Sequence, residues 1–295
     1  PLDIGFIQDV TEEDPYSVLS ALGDEIFELM NFNIDKIEMY SSILSEHILR
    51  KYIETNDFVD IIFKLAAEAA RRIDDEYNFS SERFRRARAL LSAVLRFSFL
   101  DSIIEQNHNK KKTIEKLYEF CRRDSLIEKE PLFWLQYSIF WQSAPRWDLA
   151  ESLMLEAYAR SAERAGFKTF QLDTYWLGLL CDLEMFYSEA GQPVARFDKI
   201  INIMEVCRNM IDSGNHRYHV LRSFLKIEPM ILKRKNDLTE SQCINLNYIL
   251  KLIVTQLDKL LDIDKAMWGT EPCKISLMNC IRILDVDKMV HIGKA

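Results

Sequence analysis

Residues 131–143 read PLFWLQYSIFWQS and residues 147–166 read WDLAESLMLEAYARSAERAG, and the fold is decided there. Trp134, Tyr137 and Trp141 step by 3 and 4, which places them on one face of a helix. Ala150 and Ala157 follow Trp134 by 16 and 23 residues, where a second helix crosses the first. Small side chains at such a crossing let two helices approach closely. Pro131 suits the first turn of the first helix, where the missing N–H has no intrahelical partner to lose.

Aromatic residues early in one helix and alanines in the next are elements of the tetratricopeptide hairpin. The match is partial, because Ser138 stands at the pattern's glycine position and Ala162 at its proline position, so the second helix runs on to Gly166. Gly166, Gly191 and Gly214 each end a helical pattern, at intervals of 25 and 23 residues. A glycine just past a helix C-terminus takes up the left-handed backbone that closes the helix. Four antiparallel helices follow from this, over about 131–143, 147–165, 169–190 and 194–213. The second hairpin, with Tyr175, Trp176, Leu179 and Leu180, keeps the architecture without the full pattern.

Helical periodicity extends outward on both sides. Phe58, Ile61, Ile62, Leu65, Ala66 and Ala69 form an apolar stripe in 57–77, with Asp57 as its expected cap, and Phe84, Ala87, Leu91, Val94 and Leu95 form another in 81–105. Asn107-His108-Asn109 breaks that pattern, and a short helix follows near 112–123. Thr239 and Gln242 make a capping box that opens a long helix. In it Leu246, Leu250, Ile253, Leu257 and Leu260 step 4, 3, 4, 3, a heptad seam that serves either a bundle core or a coiled-coil dimer. Residues 268–295 are expected to close the array. The expected organisation is an acidic segment 1–30, a helical subdomain 31–125, tetratricopeptide-like hairpins 126–215, and C-terminal helices with a cap 216–295.

Composition agrees with an all-α protein built of stacked antiparallel hairpins. Glycine and proline together make 15 of 295 residues, well under the roughly 12% of average usage, so sheets needing many tight turns are excluded. With 48% hydrophobic residues the chain is not a disordered one. The net charge of −8 is unevenly spread: residues 1–60 carry 14 acids and 3 bases, while residues 61–123 carry 14 bases and 9 acids. Two such segments either neutralise each other or expose charged surface to a partner. A general nucleic-acid binder would be more basic.

Chemistry leaves little trace in the sequence. The Gly293-Lys294 pair has no glycine-rich loop before it, so no Walker A motif is present. His216 and His219 lack a third ligand at metal-site spacing, and His47 has no visible catalytic partner. Cys121, Cys181, Cys207, Cys243, Cys273 and Cys280 form no Cys-x-x-Cys pair and mostly sit in apolar runs, which fits a reducing compartment. No apolar run approaches about 20 residues, and the acidic start is unlike a signal peptide, so a cytoplasmic location is expected. No catalytic, cofactor or metal site is expected. Candidate partner-binding residues are the aromatics Trp134, Tyr137, Trp141, Trp147 and Tyr175, for which core packing is the competing reading. Arg85 and Arg88 join them from the basic group Arg83, Arg85, Arg86 and Arg88, which either binds anions, pairs with the acidic segment or is simply solvated.

The run Pro131-Leu132-Phe133-Trp134-Leu135-Gln136-Tyr137-Ser138-Ile139, then Asp148-Leu149-Ala150-Glu151 and Ala157-Tyr158, then Gly166-Phe167-Lys168-Thr169-Phe170-Gln171-Leu172-Asp173, resembles the helical C-terminal region of bacterial STAND-type P-loop NTPases. Residues Tyr40 to Arg50 are similar to the segment that follows their NTPase module. The resemblance spans about 40–185 and carries no catalytic residue. It implies the sensor portion of an anti-phage protein, whose repeats recognise a protein trigger, often phage-encoded, while NTPase and effector lie elsewhere and self-association runs through the NTPase. A chain starting at Pro1 without methionine fits either processing or a segment of a longer protein. The alternative is a helical scaffold for a host complex.

Overall fold

The computed structural model describes residues 2–11, 13, 14, 17, 30–33, 36–39, 54–76, 81–104, 109–192, 194–212, 217–263 and 269–292. His47, His108, Gly214 and His216 lie outside them, so those expectations have no structural counterpart. The chain divides into two compact units, Pro1–Glu163 and Arg164–Ala295. The division runs through the 126–215 stretch, between its two expected hairpins.

The first unit opens on a small antiparallel sheet that the sequence reading lacked. Strands β1 (Leu2–Asp3), β2 (Met30–Asn33) and β3 (Lys36–Met39) lie in the order β1-β3-β2, with Leu2 and Phe32 both opposite Ile37. Runs of two to four residues are too short for a period-two pattern to stand out. Helix α1 (Ile4–Thr11) packs on α2 (Thr55–Asp74), whose expected stripe is buried at Phe58, Ile62, Ala66 and Ala69, whereas Leu65 is half-buried and Ile61, at the edge of the stripe, is exposed. Glu54, not Asp57, is the residue at the cap position, and Asp57 sits within the first turn. Among the described residues, the acidic-to-basic pairing expected from the charge pattern is made by Asp9 with Arg71 and Arg72. Arg72 donates to Asp9 at 2.5 Å, its guanidinium lies 4.6 Å from the centre of the Phe6 ring, and Arg71 approaches Asp9 at 3.8 Å.

The helix expected over 81–105 is two: α3 (Glu82–Val94), capped by Ser81 accepting from the Phe84 N–H, and α4 (Phe97–Ile103). The break comes from outside the segment, because Gln136 Oε1 accepts the Phe97 N–H at 3.0 Å. Helix α5 (Lys110–Arg123) packs on α2 and leads through a 3-10 turn to the hairpin of α6 (Pro131–Ser143) and α7 (Trp147–Glu163). Ala150 and Ala157 are fully buried at the crossing. Ser138 occupies its glycine-like position by hydrogen bonding: its buried Oγ donates to the Ala150 carbonyl at 2.7 Å. A hydroxyl thus fits where the pattern has no side chain, because the facing helix supplies an acceptor.

The second unit is an array of hairpins in two rows. Helices α8 (Phe170–Glu189) and α9 (Phe197–Asn209) form the first hairpin. The bent pair α10 (Arg217–Phe224) and α11 (Ile227–Arg234) then returns beside α8, and α12 (Glu240–Ile263) packs on α9. Helix α13 (Thr270–Ile292) completes the row α8, α10–α11, α13. Direction and register are visible in side-chain pairs. Lys226 bonds Asp182 at 3.0 Å and Lys233 bonds Glu189, each 44 residues apart, so α11 runs parallel to α8. Gln256 donates to Asp212 across the same interval. Asn247–Asp285 and Lys274–Asp258, both 2.6 Å, make α12 and α13 antiparallel.

Two glycine caps and the capping box follow the predicted chemistry. Gly166 and Gly191 have φ of 72° and 67°, and Thr239 and Gln242 bond each other's N–H groups at 2.9 and 3.3 Å. Leu246, Leu250, Ile253, Leu257 and Leu260 are buried where α12 meets α9 and α13, so the heptad seam is bundle core. Among the described residues no helix is long and apolar enough to cross a membrane.

Candidate protein-recognition surface

Three of the expected aromatic anchors are core residues. Trp134, Tyr137 and Trp141 are 5%, 3% and 9% exposed. Tyr137 stacks on Tyr118 with ring centres 5.0 Å apart, and its hydroxyl donates to Glu119 at 2.5 Å. Trp134 gives its indole N–H to the Glu128 carbonyl at 2.6 Å. Trp141 packs edge to face on Phe140. Their polar atoms and ring faces are taken up inside the first unit, which corrects the reading of these three as anchors. Helix α6 is apolar on nearly every side because neighbours cover nearly every side. Trp147 is half-buried at the start of α7, and Tyr175 is exposed on α8.

The basic group disperses around α3. Arg85 is exposed, Arg86 pairs with Glu82 within the helix, and Arg88 is half-buried. Arg88 lines a cavity of about 10 Å³ with Ser92, Glu130 and Gln136, room for the centre of one water and no more. Among the described residues no group of three or more His, Cys, Asp or Glu is placed to hold a metal ion. Cys121, Cys181, Cys207, Cys273 and Cys280 are free and buried, and burial pushes each thiol up, Cys273 and Cys280 to about 12. Thiols so placed are poor nucleophiles.

The second unit carries surface features of which only Tyr175 was expected from the sequence. Ten of the twelve large hydrophobic side chains exposed among the described residues belong to it, and seven lie on the row α8, α10–α11, α13. On α8, Tyr175, Asp182 and Phe186 share the outward stripe. On α10–α11, Tyr218, Leu225 and Leu232 follow helical spacing, with Leu232 54% exposed. On α13, Ile275 is 52% exposed beside Met278. Glu228 of α11 accepts from Ser276 at 2.6 Å and Asn279 at 3.1 Å, which brings the last two stripes side by side. A helical wheel of 217–234 that asked which apolar residues fall on the polar side would have found part of this face.

Beneath it lies a buried ionic cluster. Glu184 and Arg234 are 0% and 1% exposed in their side chains and meet at 2.8 Å. The other Glu184 oxygen accepts the Arg196 and Ala195 N–H groups at 2.9 and 3.3 Å, while Arg234 donates to the Gln192 carbonyl at 2.7 Å and to Asp237 at 2.9 Å. The pair ties the connection after α8 to α11 and so fixes the floor of the row. No family model, curated protein or solved structure matches this chain.

Proposed function

We propose that this chain is a protein-recognition module: the sensor region of a bacterial anti-phage STAND-type NTPase, binding a phage or other protein trigger through its helical-hairpin surface. The observation that carries the reading is the concentration of exposed large apolar side chains on the row α8, α10–α11, α13. Scattered single apolar residues are ordinary on a protein surface, whereas a run of them across neighbouring helices is what a partner covers. Helical-hairpin arrays present such extended faces and act by complementarity, without turnover. The resemblance over about 40–185 supplies the biological setting of the trigger, and the NTPase and effector activities belong to other segments of such proteins.

The test is co-purification of the tagged chain from phage-infected and uninfected cells, beside a Tyr218→Ser/Leu232→Ser/Ile275→Ser variant. The expected result is a phage-encoded protein retained by the wild type and lost by the variant, then rebound in purified form. A partner present equally without infection would favour a constitutive scaffold. Absence of any stable protein partner would refute recognition altogether.

A further inference from the structure

The outward positions of α13 form a pattern that complements its own reverse. Cys273, Leu277, Cys280 and Leu284 point into the core, Ser276 and Asn279 meet Glu228 of α11, and Lys274 and Asp285 meet Asp258 and Asn247 of α12. Opposite the buried side stand Glu271, Ile275, Met278 and Arg282, each exposed and stepping 4, 3, 4. That spacing holds a stripe on one side of a helix and is the spacing of a seam between two helices. From either end the stripe runs charge, apolar, apolar, charge, and the two charges are opposite. Among the described residues Glu271 and Arg282 make no ion pair, whereas Lys274 and Asp285 pair with Asp258 and Lys251.

Charge complementarity selects the occupant. With a second copy laid antiparallel, a two-fold axis level with the Ser276–Leu277 peptide sets Ile275 against Met278 of the second copy and Glu271 against Arg282 of the second copy, and symmetry makes each pair twice. Glu271 and Arg282 are eleven residues apart, about 16 Å along the helix, so the two ion pairs flank the apolar centre from either end. A parallel pairing in register would set Glu271 on Glu271 and Arg282 on Arg282, like charge on like. We propose that α13 is a self-association surface, on which a second copy of this chain packs its own α13 antiparallel about a two-fold axis. A single helix pair lies at the small end of interface sizes, so the dimer is weak and concentration-dependent. The proposal goes beyond the recognition reading, whose face extends over α8 and α10–α11 as well.

The test is sedimentation velocity of the full chain from low to high micromolar concentration. The wild type should pass from monomer to dimer over that range, and Ile275→Asp should remain monomeric with an unchanged far-ultraviolet circular dichroism spectrum. Glu271→Arg and Arg282→Glu each set like charges across both contacts and should weaken the dimer roughly tenfold or more. An equimolar mixture of these two single variants should dimerise again, because one stripe then carries two bases and the other two acids. The double variant, in which the charges have changed places, should dimerise too. A wild type that stays monomeric overturns the proposal, as does a dimer indifferent to Ile275→Asp or a mixture no more associated than its components. Tyr218→Ser/Leu232→Ser leaves the α13 stripe intact and should keep the dimer whether or not it retains a protein partner, so failure of recognition and failure of self-association are read separately.

Discussion

Replacing Arg234 by Met keeps most of the side chain's length and removes its charge, leaving the buried Glu184 carboxylate with two backbone N–H groups and the Arg196 guanidinium at 3.7 Å, but no cation at 2.8 Å. Breaking a buried pair from one side costs about 3–5 kcal/mol, because the survivor's desolvation is then offset only in part, here by the more distant Arg196. That is roughly a 150- to 5,000-fold change in the folding equilibrium of the second unit. At a urea slope near 2 kcal/mol/M the midpoint falls by about 1.5–2.5 M. Glu184→Gln keeps an acceptor for the Arg196 and Ala195 N–H groups but presents an amide to the guanidinium, at a cost of about 3 kcal/mol. In the double variant both charges are gone, so its loss is smaller than the two single losses together by about 2 kcal/mol. The assay is urea unfolding of all four proteins followed by circular dichroism. A single-variant loss under about 1 kcal/mol, or simple additivity of the two, would show that the pair is neither desolvated nor coupled.

Gly166→Ala and Gly191→Ala should each cost about 1–2 kcal/mol in thermal or urea unfolding, from the left-handed backbone alone, since the added methyl meets no atom within 4 Å. An unchanged stability would mean that the helix ends do not hold these backbone angles. An aromatic-disulfide reagent should label one cysteine of six quickly, the half-buried Cys243, and the other five only on unfolding; rapid labelling of several would contradict their burial. Burial alone would raise the Glu68 carboxyl from its ordinary 4.5, but the Arg71 and Arg72 guanidiniums hydrogen-bonded to it bring it lower. A depressed carboxyl stabilises the fold above its ordinary value and loses that contribution as pH falls through the lower folded value. Glu68→Gln should therefore flatten acid unfolding of the first unit below pH 4.5; an acid transition identical to wild type would remove Glu68 from the cause.

What was legible in the sequence was whatever depends on nearby residues. The bounds of α6 coincide with the expected 131–143, and the glycine caps and the Thr239 box act as their local chemistry requires. The split between α3 and α4 was not legible, because the acceptor that stabilises the start of α4 is Gln136, 39 residues away. The Glu184–Arg234 pair is 50 residues apart and leaves no local pattern. The aromatic cluster of α6 shows the reverse difficulty. A run such as Phe133-Trp134 reads alike in a core or at an interface until the neighbours Tyr118 and Glu119 are placed. Tyr218 and Leu232 stand out on a helical wheel of their own segment, but that they share one face with Ile275 was visible only once the rows were assembled.

The 44-residue interval shared by Asp182–Lys226, Glu189–Lys233 and Asp212–Gln256 makes the array sensitive to length as well as to composition. A residue gained inside α9 turns the rest of that helix by about 100° and carries its buried residues Ile203, Met204 and Cys207 away from α8 and α12. A residue gained between helices, beside Gly191 for instance, is absorbed by the loop at small entropic cost. A change of length in this unit is therefore borne best by its connections.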